Sequence, residues 1–305
     1  MENKRRLSGR IAAVLFACSF FFSLSAENDQ PMIRFGVLAD VQYGDCETRG
    51  SRFYRNSLSK LEACVADLNQ ENVGFTVALG DLSDRETKRH LPAVLHVLAA
   101  LHQPVYHTPG NHDYGGVTDN QALYRQLGMP SSYYAFTQKG WRFILLNTNE
   151  ISTYSNITGT PKEAELQSMW KRIEEDGRTN REPYNGGIGR EQMEWLKGEL
   201  DASQQNHESV LLFSHHPLYA APGLTALNDL EIRELIAKYS CVKGVISGHH
   251  HAGDYGEYKG IPFITTEGMI ETEAENAYGI VDIYKDRIQF TGRGRSRSYT
   301  ILLNE

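Results

Sequence analysis

Short apolar runs that end in polar residues recur along the chain: MIRFGVLAD (32–40), VGFTVALGD (73–81), PVYHTPGNHD (104–113), WRFILLNTN (141–149), SVLLFSHHP (209–217) and VKGVISGHH (242–250). Their lengths and their Val, Ile, Leu and Phe content predict strands buried on both faces. Helical spacing fills the intervals. Leu58, Leu61, Val65 and Leu68 form one apolar stripe, and similar stripes fall within 91–101, 190–202 and 229–239. The tail, GIPFITTEG (260–268) and YGIVDIYKDRIQFTGRG (278–294), reads as further strands with a turn near Lys285-Asp286, so mixed sheets are expected.

This alternation predicts an α/β sandwich whose functional groups sit beyond the carboxyl ends of the strands. Residues 150–189 break the pattern. They are polar, with a helix expected over 162–175, and read as an insertion or cap near the site.

The polar ends of the runs carry the candidate chemistry. In order they supply Asp40 and Gln42, Asp81, Asn111 and His112, His215, and His249 and His251. Six of the 11 histidines fall in three of these segments. If the strands continue through these positions, Asp40 and Gln42 share a face, as do His249 and His251. Any one segment is ordinary turn chemistry; a Gly-Asn pair, for instance, is common in turns. Together, in sequence and at strand ends, they form a set of oxygen and imidazole donors without a thiol, suited to Mn²⁺, Mg²⁺, Fe²⁺ or Zn²⁺. Seven ligands exceed one tetrahedral ion and suit two ions about 3.5–4 Å apart, the arrangement used for in-line displacement at phosphorus.

The chain resembles the calcineurin-like metallophosphoesterases over about Ile33 to Tyr299. Gln42 stands where that family usually has histidine, which is the pattern of its manganese-dependent ADP-ribose/CDP-alcohol diphosphatase branch. GVLADVQYGD, RGSRFYRNSL, YNGGIGREQMEWL, EGMIETEAENAYG and TGRGR resemble the same branch. The resemblance implies a two-sheet β-sandwich flanked by helices, a four-layer αββα arrangement, formed by a single domain over 27–305. It implies that Asp40, Gln42 and His251 hold one metal, that Asn111, His215 and His249 hold the other, and that Asp81 bridges them. His112 matches the catalytic histidine and Asp84 the carboxylate that orients it.

A water between two divalent ions loses its proton near neutral pH and can attack phosphorus in line. The resemblance to that branch implies hydrolysis of the phosphoanhydride in compounds such as ADP-ribose or CDP-choline, with two divalent ions and Mn²⁺ favoured. Arg52, Tyr184, Ile188 and Tyr255 are candidate substrate contacts. Arg49 and Arg55 share the basic stretch with Arg52, and Arg293, Arg295 and Arg297 form a second one. Two alternatives stand beside this reading: an exported phosphomonoesterase or phosphodiesterase of broad specificity, and a non-catalytic exported metal-binding module. An unligated histidine beside Asn111 argues against the last, since a structural site has no use for it.

Composition adds a compartment. MENKRRLSGR followed by IAAVLFACSFFFSLSA has the order of a secretory signal over 1–26, cut after Ala26, with lipidation at Cys18 as the alternative. The expectation is a periplasmic or secreted protein with no stable membrane span after cleavage. Loss of 1–26 removes four basic residues and Glu2, taking the formal net charge from −7 to −10. That charge disfavours nucleic acid as a partner; the small nucleotide-type phosphate is the partner that the resemblance implies. Cys46, Cys64 and Cys241 would remain, enough for one bridge at most.

Overall fold

In the computed structural model, which describes residues 30–303, the apolar runs become the central strands of two six-stranded sheets. The first contains β1 (Ile33–Leu38), β2 (Phe75–Ala78), β3 (Val105–His107), β10 (Ala277–Ile283), β11 (Arg287–Gly294) and β12 (Tyr299–Leu302), in the order β12-β11-β10-β1-β2-β3. The second contains β4 (Tyr134–Gln138), β5 (Trp141–Leu145), β6 (Ser209–Ser214), β7 (Val242–Ser247), β8 (Ala252–Tyr258) and β9 (Ile261–Glu267), in the order β4-β5-β6-β7-β9-β8. Both are mixed. β1, β2 and β3 run parallel, as do β5, β6, β7 and β9; antiparallel strands close one margin of the first sheet and both margins of the second.

Side-chain alternation explains why the runs are apolar without interruption. Phe143 and Leu145 of β5, and Leu211 and Phe213 of β6, face the core shared with the first sheet. Ile144 and Leu212, between them, face the second helical layer. Phenylalanines knit the two sheets together: Phe35 of β1 meets Phe143 and Phe213 edge-on at 5.7 and 6.0 Å and stacks on Phe75 at 4.7 Å. Such offset and edge contacts add to the area they bury.

Helices cover both outer faces. α1 (Asn56–Gln70) buries Leu61, Val65 and Leu68 against the first sheet, and α2 (Thr87–Leu98) adds Leu91 and Val94. α3 (Asn120–Gln126) contributes Leu123 to the same core. On the other side α5 (Arg190–Gln205) and α6 (Asp229–Ile236) bury Leu196, Leu200, Ile232 and Ile236 with β5, β6 and β7. Between β5 and α5, the 150–189 segment holds α4 (Pro161–Glu175) and its own small core of Ile151, Ile157, Leu166, Met169 and Ile173.

From Pro31 onward the chain forms one compact unit. The expected signal over 1–26, with its cleavage after Ala26 or lipidation at Cys18, lies outside the described residues. Among the described residues no helix is long and apolar enough to cross a membrane. Cys46, Cys64 and Cys241 are all free thiols, so the single bridge that three cysteines allow does not form.

Candidate metal centre

The parallel strands of both sheets end at one rim, and the loops that leave them bring the candidate ligands together. Asp40, Asp81 and His215 offer ligand atoms within 4.8 Å of one another, and so do His215, His216 and His249. Asp81 is central. Its Oδ1 accepts from the His112 amide at 2.8 Å, while its Oδ2 lies 3.0 Å from Gln42 Nε2 and 3.5 Å from His215 Nε2. His251 Nε2 is 3.5 Å from Asp40 Oδ1 and 3.1 Å from Gln42 Nε2. Asn111 Oδ1 is 3.0 Å from His215 Nε2.

The convergence has a different cause from strand alternation. β1 stops at Leu38 and β7 at Ser247, so none of Asp40, Gln42, His249 or His251 lies in a strand. Asp40, Gln42, Asp81 and His249 instead take left-handed backbone conformations, with φ of 55°, 42°, 51° and 66°. Non-glycine residues rarely adopt this region and do so at functional sites when the surroundings enforce it. Here the surroundings are the adjoining loops: Asp40 N donates to Gly80 O at 3.1 Å and Gln42 N to Asp81 O at 2.7 Å. The loops after β2 and β3 are equally tight. A Cβ on Gly110 would fall 2.1 Å from Asp81 Oδ1, so only glycine fits.

Three further residues, given no role from the sequence, hold the candidate ligands in place. Buried Asn185 donates its Nδ2 to the carbonyls of Asn180 and Gly223, both at 2.9 Å, so its Oδ1 must accept from His249 Nε2 at 3.1 Å. Glu271 Oε1 lies 2.7 Å from His251 Nδ1. Asp113 accepts from the amides of Leu82, Ser83 and Gly110 at 2.9–3.0 Å and pins the two loops to each other. Asn185 and Glu271 lie within YNGG and EGMIET, stretches that ligation alone does not require. Asp113 directly follows the Asn-His pair.

These contacts test whether a cation fits. His215 Nδ1 faces the Leu79 carbonyl at 2.8 Å and so carries hydrogen, leaving a lone pair on Nε2. His249 likewise keeps hydrogen on Nε2 and a lone pair on Nδ1. These two lone pairs face each other at 3.1 Å, a repulsive contact that a cation resolves. Gln42 Oε1 is buried without a hydrogen-bond partner, and rotation of the amide would turn it toward Asp81 and His251. Buried Asp40 and Asp81 supply negative charge. The donor set fits a hard or borderline divalent ion. His216 does not join it: Nδ1 contacts Thr148 Oγ1 at 2.9 Å and Nε2 the Tyr184 carbonyl at 3.1 Å.

Protons respond to the same field. Burial pushes the His249 imidazole well below its ordinary value, helped by the histidines around it. His251 is also penalised by burial, but Asp40 and Glu271 outweigh that and raise it to about 9. For His112, burial is outweighed by the charge of Asp81 and the hydrogen bond from Nδ1 to Asp84, so its value is raised. Asp84 is correspondingly lowered, the penalty of burial being exceeded by His112 and Arg85.

A cleft of about 620 Å³ opens beside His112 and Asp84, lined also by Arg52, Arg85, Tyr154 and Tyr184. Tyr184 is 41% exposed and its ring lies 5.9 Å from that of His249. Two expected substrate contacts are elsewhere. Ile188 is fully buried in the second core cluster, its amide and carbonyl both bonded to the Asn228 side chain, because apolar bulk after the YNGG turn is drawn under α5. Tyr255 is on β8 and stacks on Tyr299 at 5.1 Å, away from the residues that line this cleft. The second arginine group is structural: Arg293 pairs with Asp67 and Glu71, Arg295 caps the carbonyls of His251 and Gly268, and Arg297 pairs with Glu267. Arg55 pairs with Asp45 and Glu47.

A two-sheet sandwich with carboxylates, an amide and imidazoles gathered at the strand ends is the framework of a metal-dependent phosphohydrolase. Residues 33–253 match the family model described as Calcineurin-like phosphoesterase, and the chain belongs to that family. It is 30% identical to the human protein named Manganese-dependent ADP-ribose/CDP-alcohol diphosphatase, over 88% of this chain and 92% of that one. The mouse protein of the same name is 29% identical, over 90% and 94%. A crystal structure of a dimetal phosphatase from Danio rerio superimposes with a TM-score of 0.81 at 28% identity, covering 90% of this chain and all of the other.

Proposed function

We propose that the protein hydrolyses the phosphoanhydride of nucleoside diphosphate-linked compounds of the ADP-ribose or CDP-alcohol type, releasing a nucleoside monophosphate. Asp40, Gln42, Asp81, Asn111, His215, His249 and His251 would hold two divalent ions, with Mn²⁺ favoured. The observation that carries this reading is the meeting of those seven side chains at one rim, beside a cleft that also holds the His112–Asp84 pair. The names of the relatives support the substrate class.

Bound divalent ions supply Lewis acidity and an activated water in such a site. The chain's own residues do the rest. Asp84 accepts from His112 Nδ1, fixing the imidazole so that Nε2 faces the cleft, 4.0 Å from Asp81 Oδ2. Held cationic there, His112 donates a proton to the oxygen that leaves phosphorus. Arg52 and Tyr184 bind and orient the rest of the substrate.

The test is a panel of ADP-ribose, CDP-choline, a cyclic nucleotide and p-nitrophenyl phosphate with added Mn²⁺. The reading expects cleavage of the first two to monophosphates. Turnover of esters alone would favour a broad phosphomonoesterase or phosphodiesterase, and no turnover a binding module. The reading extends to export: the basic start and the apolar run after it support a periplasmic or secreted enzyme. Fractionation of cells expressing the full chain checks this, with Cys18→Ser separating cleavage after Ala26 from lipidation. Retention in the cytoplasm would end that part.

A further inference from the structure

Arg85 has none of the roles assigned so far, yet its conformation is costly. Its φ is 60°, in the left-handed region that penalises any side chain with a Cβ. The surroundings enforce it. Thr87 N donates to Arg85 O at 3.0 Å, and Gly115 packs so closely that a Cβ there would lie 1.6 Å from the same oxygen. The side chain then runs back to the catalytic pair, with Nε 3.2 Å from Asp84 Oδ2, and its half-exposed guanidinium lines the cleft.

Two more guanidinium groups line the same cleft. Reciprocal backbone hydrogen bonds of 3.1 Å tie Arg49 to Arg52, so one tight turn presents both. The carboxylates within reach are already engaged: Asp84 by His112, and Glu271 by His251, with Arg52 Nε no nearer to Glu271 than 3.8 Å. The cleft therefore holds cationic donors in excess of the carboxylates that could satisfy them, which is the condition for receiving an anion.

We propose that Arg85 is a specificity-determining residue that leaves Asp84 when substrate enters and binds the phosphate that is not attacked. The site would thereby favour two linked phosphates over a single phosphate ester. This rests on the phosphoanhydride reading above. In an anhydride the leaving oxygen belongs to the second phosphate, so a substrate protonated by His112 carries that phosphate to the side where Asp84 and Arg85 stand. Buried Asp84 is not left uncompensated by the exchange, because it keeps its hydrogen bond from His112 Nδ1 while the half-exposed guanidinium passes from one anion to another. Arginine suits the task better than lysine, since its planar fork matches two phosphate oxygens.

The test compares the full-length wild type with Arg85→Gly and Arg85→Lys, each reconstituted with Mn²⁺. For Arg85→Gly, kcat/KM on ADP-ribose relative to that on p-nitrophenyl phosphate should fall roughly ten- to hundredfold, the usual effect of losing a charged hydrogen bond. Lysine should restore only part of it. The melting temperature of Arg85→Gly should match or exceed the wild type's, because glycine takes this φ without penalty. Equal losses on both substrates would make Arg85 a positioning residue for Asp84 and overturn the proposal, as would no loss on either. Should the wild type cleave only esters, the phosphoanhydride reading fails by itself. Arg85 is then judged by competitive inhibition, pyrophosphate against orthophosphate: preferential weakening of pyrophosphate in Arg85→Gly upholds its role, and an unchanged ratio ends it.

Discussion

At the scale of single residues, the two histidine environments call for different outcomes on mutation. The His112 imidazole stands 4.0 Å from Asp81 Oδ2 and is held by Asp84, so His112→Ala should lower turnover by roughly 10²–10⁴, the range for losing a general acid, and leave metal content intact. Metal loss in that variant would make His112 structural. Asn185 and Glu271 act through His249 and His251, fixing which nitrogen of each carries hydrogen. Asn185→Leu and Glu271→Gln should each weaken metal binding by roughly 10–100-fold, read by equilibrium metal titration; unchanged binding would remove their positioning role. The residue types that reach the rim were legible in the sequence because ligand chemistry is narrow. Their supporting partners were not, since an asparagine or glutamate becomes a positioning group only through a neighbour that folding brings to it. Ile188 shows the converse: proximity to YNGG in sequence suggested a cleft contact, and burial took it into the core.

At the scale of elements, the long continuous runs predicted β1, β2, β5, β6, β7, β9 and β10 well, because burial on both faces leaves no room for polar positions. The marginal strands escaped. β8, AGDYGEY, carries two glycines and alternating exposure at the edge of its sheet, β12 has only four residues, and seven-residue α3 is too short to show a stripe. The site depends on elements being locked at their ends as much as on the elements themselves. Asp113 satisfies three backbone amides from two loops, so Asp113→Ala would leave buried donors unpaired at about 1–3 kcal/mol each. A loss of at least ~2 kcal/mol in urea unfolding is expected, with weaker metal binding alongside; a neutral variant would show that the loops hold without it. Phe143→Ala, in the aromatic layer between the sheets, should cost about 3–5 kcal/mol without changing which metal is preferred.

At the scale of the whole molecule, two sheets align their parallel strand ends so that residues more than two hundred positions apart share one cage. Order along the chain made that readable, but the geometry came from left-handed loop residues that no strand pattern predicts. The cage also couples metal to protons. His251, raised from 6.5 to about 9, holds its proton fully below 6.5 and loses it as pH rises through 9. In the metal-free protein that proton stabilises the fold at low pH, and its contribution fades between those values. Metal must displace it, so apparent affinity should climb by about tenfold per pH unit at most and level off above about 9; a flat profile across that range would mean His251 is not a ligand. The central claim is that distant loops build one cage for two ions with Asp81 between them. Mn²⁺ titration of the metal-stripped protein, wild type beside Asp81→Ala, tests it most directly. The account predicts two ions per wild-type chain and impaired binding of both in the variant; a single ion, or a variant that still takes up two with wild-type affinity, would contradict it.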